Sequence, residues 1–271
     1  MVRGPVTIEE PADPRLADYV ELADPAARRR REREELFVVE GITAIGRLLD
    51  SGHCVRSMLV TPQAYARLAD RLDGVTAPVY VASRAILAAT VGFDLHRGAV
   101  AAADRRPLPT VGAVLEGARQ VAVLEGLNDA ENLGAVARSA RALGVDAMIL
   151  DPTCIDPYYR RIVRVSMGEV LLLPVARAHR WPDDLDTLRA AGFALWALTP
   201  DRDAEVLWDL DVPPKVALLL GAEGPGLSAQ ARAASDRRVR IPIDPTVDSL
   251  NVGHAAAIAF AALGRFGPEI G

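Results

Sequence analysis

The chain has 271 residues, half of them hydrophobic, which is enough apolar material for one large or two medium domains. Its net charge of −5 argues against a protein that coats nucleic acid through a broad cationic surface, although a local basic site remains compatible with it. The apolar runs are far shorter than a bilayer span, and no basic segment followed by an apolar core stands at the N-terminus, so we expect a cytoplasmic protein with no membrane partner.

Residues 1–103 are predicted to form a small α/β domain. Helical and strand patterns follow one another in "AIGRLLDSG", "VRSMLVT" and "APVYVAS". Before them, the run Arg28 to Arg33 with its interleaved glutamates is typical of a solvated helix face, and the alternative is a patch that contacts phosphate. The proline and charge content of "DRRPLPT", which starts at Asp104, predicts a linker over residues 104–115.

Residues 116–271 show a different organisation, in which short apolar runs alternate with helical patterns. The runs "VAVLEGL", "DAMIL", "VLLLPV", "FALWAL", "KVALLL" and "RRVRIPI" are separated by segments such as "YYRRIVRVSMG" and "DDLDTLRAAG". Continuous apolar strands separated by helices predict an α/β fold with a mostly parallel sheet covered on both faces. In such sheets ligands bind outside the carboxyl ends of the strands.

The stretch "GAEGPGLSAQ", residues 221–230, places a lone acid, Glu223, among three glycines where a predicted strand ends. One interpretation is a strand-to-helix connection: the glycines permit positive φ, Pro225 presets one φ angle, and Ser228 caps the next helix. Because this turn lies at the carboxyl end of a strand, it also stands where a ligand is expected.

Two helical patterns differ in what they bury. In "NLGAVARSARALG", Asn132 is a plausible N-cap, Gly144 a terminator, and Arg138 flanks the apolar stripe. That stripe consists of Leu133, Val136, Ala137 and Ala140. The last helix, "NVGHAAAIAFAALG", is apolar nearly all round and must be buried on most faces, either inside the fold or against another subunit.

Several common sites are absent from the sequence. The first strand of residues 116–271 runs into "LNDAENLG" rather than a GxGxxG turn, and no GxxxxGK[ST] loop occurs, which argues against an ordinary dinucleotide-binding dehydrogenase or P-loop enzyme. Cys54 and Cys154 form no CxxC pair or Cys/His cluster, so neither a disulfide nor a zinc site is indicated. We predict that both are reduced packing residues and that no metal is bound.

Three segments in order, "NLGAVAR", "LLLGAEGPGLS" and "IPIDPTVDSLNVGHAAAIA", resemble the motifs of the SpoU (TrmH-type) branch of the SPOUT methyltransferases. The stretches "RALGVDAMIL" and "VRVSMGEVLLLPV" lie between the first two. The resemblance covers roughly residues 120–267, and three motifs in the right order at the right intervals are highly specific. The N-terminal "FVVEG", "LLDSG" and "LVT" are similar, more weakly, to the small substrate-binding module that precedes this domain in many members.

The resemblance implies S-adenosylmethionine-dependent methylation of a ribose 2′-hydroxyl in structured RNA, most simply ribosomal RNA. It implies a C-terminal trefoil knot, an exception to the usual absence of knots, that forms the cofactor pocket. It also implies a homodimer and no required metal. The alternatives are a transfer-RNA ribose methyltransferase, a catalytically silent RNA-binding member, and a small-molecule or protein methyltransferase on the same fold, which the acidic net charge would suit.

The site residues follow from the motifs by position. The resemblance implies that the backbone of Gly221, Ile241 and Leu250 holds the adenine of the cofactor. It implies a polar set around the reacting centre, consisting of Asn132, Arg138, Glu223, Ser249 and Asn251. The family's usual proposal makes the arginine a general base, but a guanidinium stays protonated up to pH ~12, so we favour a role in holding the RNA phosphate or the developing alkoxide.

Overall fold

The computed structural model describes residues 4–20, 22, 24, 26, 36–95 and 97–264, which form two compact units. The first contains Met1–Pro107 and Tyr158–Leu172, and the second contains Leu108–Pro157 and Leu173–Gly271. The division falls within the predicted linker, but Tyr158–Leu172 belongs to the first unit rather than to the 116–271 domain. The arginine run at 28–33 lies outside the described residues.

The first unit is built on a five-stranded mixed sheet in the order β1-β4-β3-β5-β2. Strand β4 pairs in parallel with β1 and β3, whereas β5 is antiparallel to β3 and β2. The strands are β1 (Val6–Ile8), β2 (Leu36–Glu40), β3 (Val55–Val60), β4 (Val79–Ala82) and β5 (Ala99–Asp104). The helices that accompany them are α1 (Ile42–Asp50), α2 (Pro62–Leu68), α3 (Arg84–Val91) and α6 (Arg160–Val165), numbered along the whole chain.

Side-chain caps start two of these helices, as Ser and Thr commonly do. Thr61 accepts a hydrogen bond from the backbone N–H of Ala64 at the start of α2, and Ser83 accepts one from Ile86 at the start of α3. The core beside the sheet includes the fully buried Tyr19, whose hydroxyl lies 2.7 Å from Ser57 Oγ. A buried phenol therefore has the partner that it needs.

Residues 158–172 join the first unit through aromatic and ionic contacts. The ring of Tyr158 stacks on Phe37 with 5.0 Å between centroids, and Arg160 Nη1 lies 2.5 Å from Glu40 Oε1. Helix α6 packs against β2. The helical pattern predicted for this segment is present, but the element that it packs against follows from the tertiary fold.

The second unit is a seven-stranded sheet in the order β10-β12-β9-β11-β6-β7-β8, and every adjacent pair is parallel. This confirms the predicted mostly parallel sheet. The strands are β6 (Gln120–Glu125), β7 (Ala147–Leu150), β8 (Val175–Arg177), β9 (Ala194–Leu198), β10 (Glu205–Val206), β11 (Val216–Gly221) and β12 (Arg237–Arg240). The run "VLLLPV" is not a strand as predicted, because Glu169–Leu171 forms a 3-10 turn and β8 begins only at Val175.

The helices of the second unit are α4 (Val111–Val114), α5 (Ala130–Ala142), α7 (Leu185–Ala190), α8 (Ala229–Ala233) and α9 (Val252–Leu263). Helix α5 buries its predicted apolar stripe and packs against α9. Its N-cap is Asp129, whose Oδ1 accepts from the backbone N–H of Asn132 at 2.9 Å, so the prediction that Asn132 is the cap was wrong. Because Asp129 performs that role, the Asn132 side chain remains available elsewhere. Gly144 follows α5 with a φ of +76°, as a helix terminator requires.

The two cysteines occupy different environments. Cys154 is buried, and this burial raises the pKa of its thiol to about 12, so it remains a protonated packing residue. Cys54 is exposed, which corrects the prediction that both cysteines are packing residues. Across the described ranges, no helix combines the length and the apolar character needed to cross a membrane.

Candidate active site

A cavity of about 410 Å³ opens in the second unit at the carboxyl ends of β9 and β11. This is the edge of a parallel sheet where ligands are expected, and the volume lies within the roughly 300–1,000 Å³ typical of small-molecule pockets. Six residues selected from the sequence line it together: Gly221, Glu223, Ile241, Ser249, Leu250 and Asn251. The fold therefore brings two segments about twenty residues apart in sequence to one site.

The turn after β11 is folded back tightly on the strand that precedes it. A Cβ atom on Gly221 would lie 2.1 Å from the carbonyl carbon of Gly226 and 2.2 Å from the nitrogen of Leu227, closer than any side chain tolerates. Gly226 donates a backbone hydrogen bond to the Ala222 oxygen at 2.9 Å, and Gly224 has a φ of +86°. The glycines therefore serve close backbone approach and positive φ, and the turn carries Glu223 to the cavity wall.

Asn251 is the centre of a hydrogen-bonded chain at the cavity. Its Nδ2 donates to Asn132 Oδ1 at 2.8 Å and to Glu223 Oε1 at 2.5 Å. Its Oδ1 accepts from the backbone N–H groups of Gly253 and His254, which makes Asn251 the N-cap of α9. One side chain thus ties together the starts of two helices and the turn after β11, through partners as far as 119 residues apart in sequence.

Close packing of α5 against α9 holds the hydrogen-bonded side chains of Asn132, Asn251 and Glu223 in place. A Cβ atom on Gly253 would lie 3.1 Å from the Cβ of Ala135 and 3.2 Å from Asn251 Oδ1, so with a side chain there these neighbours would have to move by a few tenths of an ångström. The glycine lets the first turn of α9 approach the turn of α5 that carries Asn132. This explains why a small residue follows "SLNV" in this chain.

Arg138 is not among the residues that line the cavity. It is exposed on α5, six residues beyond Asn132 and therefore about 9 Å further along the helix axis. It makes no hydrogen bond or ion pair with the part of the chain that the structure describes. Of the five predicted polar residues, Asn132, Glu223 and Asn251 are joined, Ser249 lines the same cavity, and Arg138 stands apart, free to meet an external group.

Sequence reasoning missed Thr199 and Pro200, which also line the cavity. They follow directly after β9, and Thr199 Oγ1 accepts a hydrogen bond from the backbone N–H of Asp201. Ligands bind at the carboxyl ends of parallel strands, and this expectation, which drew attention to the turn after β11, applies equally to Thr199 and Pro200. Strand β9 is the neighbour of β11 and ends at the same edge of the sheet. The pattern "ALTPD" was therefore a usable signal.

A parallel α/β sheet with a cavity of this size and a polar hydrogen-bonded chain at its carboxyl edge is typical of an α/β protein that binds a small molecule. The family model described as the SpoU rRNA Methylase family matches residues 119–261, which is more than half of the chain. The chain belongs to this family. It is an RNA methyltransferase, and its methyl donor is S-adenosylmethionine.

Comparisons with individual relatives support the assignment. An uncharacterized tRNA/rRNA methyltransferase of Mycobacterium tuberculosis is 47% identical over 97% of this chain and 92% of its own length. The 23S rRNA (guanosine-2′-O-)-methyltransferase RlmB of Bordetella pertussis is 32% identical over 60% of this chain and 68% of its own. The SpoU methyltransferase AviRb of Streptomyces viridochromogenes, solved in complex with S-adenosylmethionine, superposes with a TM-score of 0.75 at 25% identity, covering 89% of this chain and 93% of AviRb.

The residues present fit that cofactor. Leu198, Leu220 and Ile241 supply apolar walls that suit a flat base, and the Glu223 carboxylate suits positively charged groups. Among the residues that the structure describes, no group of three or more His, Cys, Asp or Glu side chains is placed to hold a metal ion.

Proposed function

We propose that this protein transfers the methyl group of S-adenosylmethionine to a ribose 2′-hydroxyl in structured RNA, and that ribosomal RNA is its substrate. The observation that carries the proposal is the Asn132–Asn251–Glu223 hydrogen-bonded chain beside a cavity of cofactor size. An intact polar chain disfavours a catalytically silent member. The names of the family model and of the Bordetella relative support ribosomal RNA and the 2′-oxygen.

Residues of the protein help to overcome the weak nucleophilicity of the ribose 2′-hydroxyl. When bound, S-adenosylmethionine supplies an electrophilic methyl group on a positively charged sulfur. A 2′-hydroxyl is a poor nucleophile near neutral pH, so the enzyme must align its oxygen and stabilise the charge that develops on it. Ser249 orients the ribose at the cavity, and Asn251, whose amide is fully used by its hydrogen bonds within the protein, holds Glu223 in place. Glu223 Oε2, which accepts no hydrogen bond from the described residues, accepts one from the ribose hydroxyl.

Arg138 provides the positive charge. A guanidinium does not give up its proton under working conditions, so it acts as an electrostatic group rather than a base. Its exposure suits it to an RNA phosphate or to the developing alkoxide.

The test of the proposal is to map ribose methylation across cellular RNA with and without the gene, and to follow labelled methyl transfer in vitro. We expect one ribosomal ribose to lose its methyl group without the gene. Loss at a transfer-RNA position instead would favour the alternative substrate, and label found in protein rather than RNA would contradict the proposal. Calorimetry in the presence of a chelator is expected to show unchanged cofactor binding.

Asn251→Asp is expected to lower methyl transfer by about two orders of magnitude, because it removes the donor to Asn132 and Glu223 and sets a second carboxylate where Nδ2 lay 2.5 Å from Glu223 Oε1. Asp is as good an N-cap as Asn, so α9 keeps its start and the melting temperature should change by only a few degrees. Single-turnover methylation and thermal unfolding measure the two effects. Ser83→Asp, the comparable exchange at the cap of α3, should leave the rate unchanged. A near wild-type rate for Asn251→Asp would show that the Asn132–Asn251–Glu223 hydrogen bonds do not take part in methyl transfer.

We further propose that the protein is a homodimer whose interface is formed by α9 and by the 3-10 turn Leu207–Asp209, which packs against it. Helix α9 buries one face, but Ile258 on the other face is 38% exposed, and Trp208, in a 3-10 turn that packs against α9, is 49% exposed. An apolar surface of this kind suits association with a second copy. The prediction that this helix is buried on most faces then depends on the partner subunit.

Ile258→Arg is expected to weaken dimerisation by about a hundredfold or more, because a charge buried in an apolar interface costs several kcal/mol and each 1.4 kcal/mol changes the dissociation constant tenfold. Sedimentation at micromolar concentration should show a wild-type dimer and a largely monomeric variant. Ala66→Arg adds the same charge to the exposed side of α2 and should remain dimeric. A wild-type monomer at this concentration would contradict the proposal.

A trefoil knot and a cytoplasmic location complete the proposal. The knot is supported by the path of the chain, which leaves the sheet at β12, returns to line the cavity beside Gly221 and continues into α9 against α5. An experimental structure traced through residues 216–263 tests the knot, and cell fractionation tests the location.

A further inference from the structure

A buried acid behind the cofactor cavity has no role in the site described so far. Glu125 is the last residue of β6 and is only 9% exposed. In the parallel ladder it is the direct partner of Gly221, the residue at which the cavity turn begins. A carboxylate at such a depth is retained at a cost in desolvation, which its hydrogen bonds must offset.

Both oxygens of Glu125 accept hydrogen bonds from groups distant in sequence. Oε1 accepts from the indole N–H of Trp181 at 2.5 Å, and Oε2 accepts from the backbone N–H of Ser228 at 2.8 Å. Ser228 is where the turn ends, and its own Oγ accepts from Ala231 to cap α8. The carboxylate therefore holds the end of the turn, while the ladder from the same residue holds its beginning.

We propose that Glu125, braced by Trp181, is a positioning residue that keeps the Gly221–Ser228 turn in its cofactor-binding shape. This deepens the proposed function and depends on it. Glu125 touches neither the cavity nor the Asn132–Asn251–Glu223 chain. It acts by preorganising the backbone, so that cofactor binding does not have to order the turn.

Loss of this anchor has a distinctive kinetic result. In Glu125→Ala the cofactor must order the turn, so its dissociation constant and KM should rise by about ten- to a hundredfold, the range for hydrogen bonds to a charged group. At saturating cofactor the turn is held by the bound molecule, so kcat should fall much less. Arg138→Ala, which leaves the turn and the lining of the cavity unchanged, should instead lower kcat and leave the dissociation constant of the cofactor near that of the wild type.

Glu125→Gln and Trp181→Phe provide a test that does not depend on the alanine variant folding. A glutamine amide has one oxygen, which accepts, and one NH₂ group, which donates. Both partners here, the indole N–H of Trp181 and the backbone N–H of Ser228, are donors, so the NH₂ group of the introduced glutamine would have to lie against one of these N–H groups without forming a hydrogen bond. Trp181→Phe alone should weaken cofactor binding a few-fold. In the Glu125→Gln background the same change should strengthen binding, because it removes the opposing N–H.

The experiment measures S-adenosylmethionine binding by calorimetry and single-turnover methylation for the wild type, Glu125→Ala, Glu125→Gln, Trp181→Phe and the Gln/Phe double variant. Glu116→Gln, at an exposed acid of the same unit, is the control and should bind as the wild type does. Wild-type affinity in folded Glu125→Ala, or Trp181→Phe effects of the same sign in both backgrounds, would overturn the inference. A wild-type protein that binds cofactor but methylates no RNA would contradict the proposed function alone, and the affinities would still decide the role of Glu125.

Discussion

Replacing Arg138 with alanine is expected to lower methyl transfer to RNA by about two or more orders of magnitude while leaving cofactor affinity and thermal stability near those of the wild type. The rate falls because a charge that stabilises the transition state is lost. Affinity and stability persist because the side chain is exposed, does not line the cavity and makes no hydrogen bond or ion pair with the described residues. Single-turnover methylation at saturating cofactor and RNA is the measurement.

Two further variants sharpen this result. Arg138→Lys keeps the charge but loses the planar fork, so a substantial defect indicates bidentate contact with phosphate and a mild one indicates charge alone. Arg141→Ala removes another exposed arginine from α5 and should retain most of the activity. If Arg138→Ala methylates RNA at close to the wild-type rate, Arg138 is a surface arginine and its assignment is wrong.

Gly221→Ala is expected to reduce S-adenosylmethionine affinity by about a hundredfold, because its Cβ would overlap the backbone of Gly226 and Leu227 and the turn must move. Overpacking against backbone also costs roughly 1–3 kcal/mol of stability. Calorimetry and thermal unfolding measure the two effects. The loss should exceed that from changing any single polar contact at the cavity, since the whole turn is displaced.

Alanine variants at two other glycines distinguish the steric clash of the added Cβ from backbone strain at positive φ. Gly112→Ala, in α4, adds a Cβ where nothing lies within 4 Å and φ is ordinary, so affinity should stay unchanged. Gly224→Ala adds a Cβ in equally open space but at a φ of +86°, so its effect should be intermediate and should report backbone strain alone. Wild-type cofactor affinity for Gly221→Ala would show that the turn does not shape the cavity.

Much of the site was predictable from particular residues. The apolar runs that became β6, β9 and β11 predicted a parallel sheet, and the end of β11 indicated where a ligand would bind. The motifs selected six residues that line one cavity. The cap of α5 was misassigned because Asp129 and Asn132 are both good cap residues three positions apart, and only the backbone at Asp129 has the extended conformation that a cap needs.

The sequence by itself determined the class of fold, the family and the residues at the cavity, because strand hydrophobicity, turn glycines and ordered motifs are local properties. Only the tertiary structure decided which elements meet. It packed residues 158–172 with the first unit, joined Asn251 to Asn132, and linked Glu125 to Ser228, 103 residues away. The spacing of apolar residues within one helix or strand predicts which of its faces is buried. The hydrogen-bond partner of a polar side chain is often distant in sequence, so it depends on how the tertiary structure places the two segments. Glu125 therefore read as the end of an apolar run, although the fold makes it the anchor of the cofactor turn.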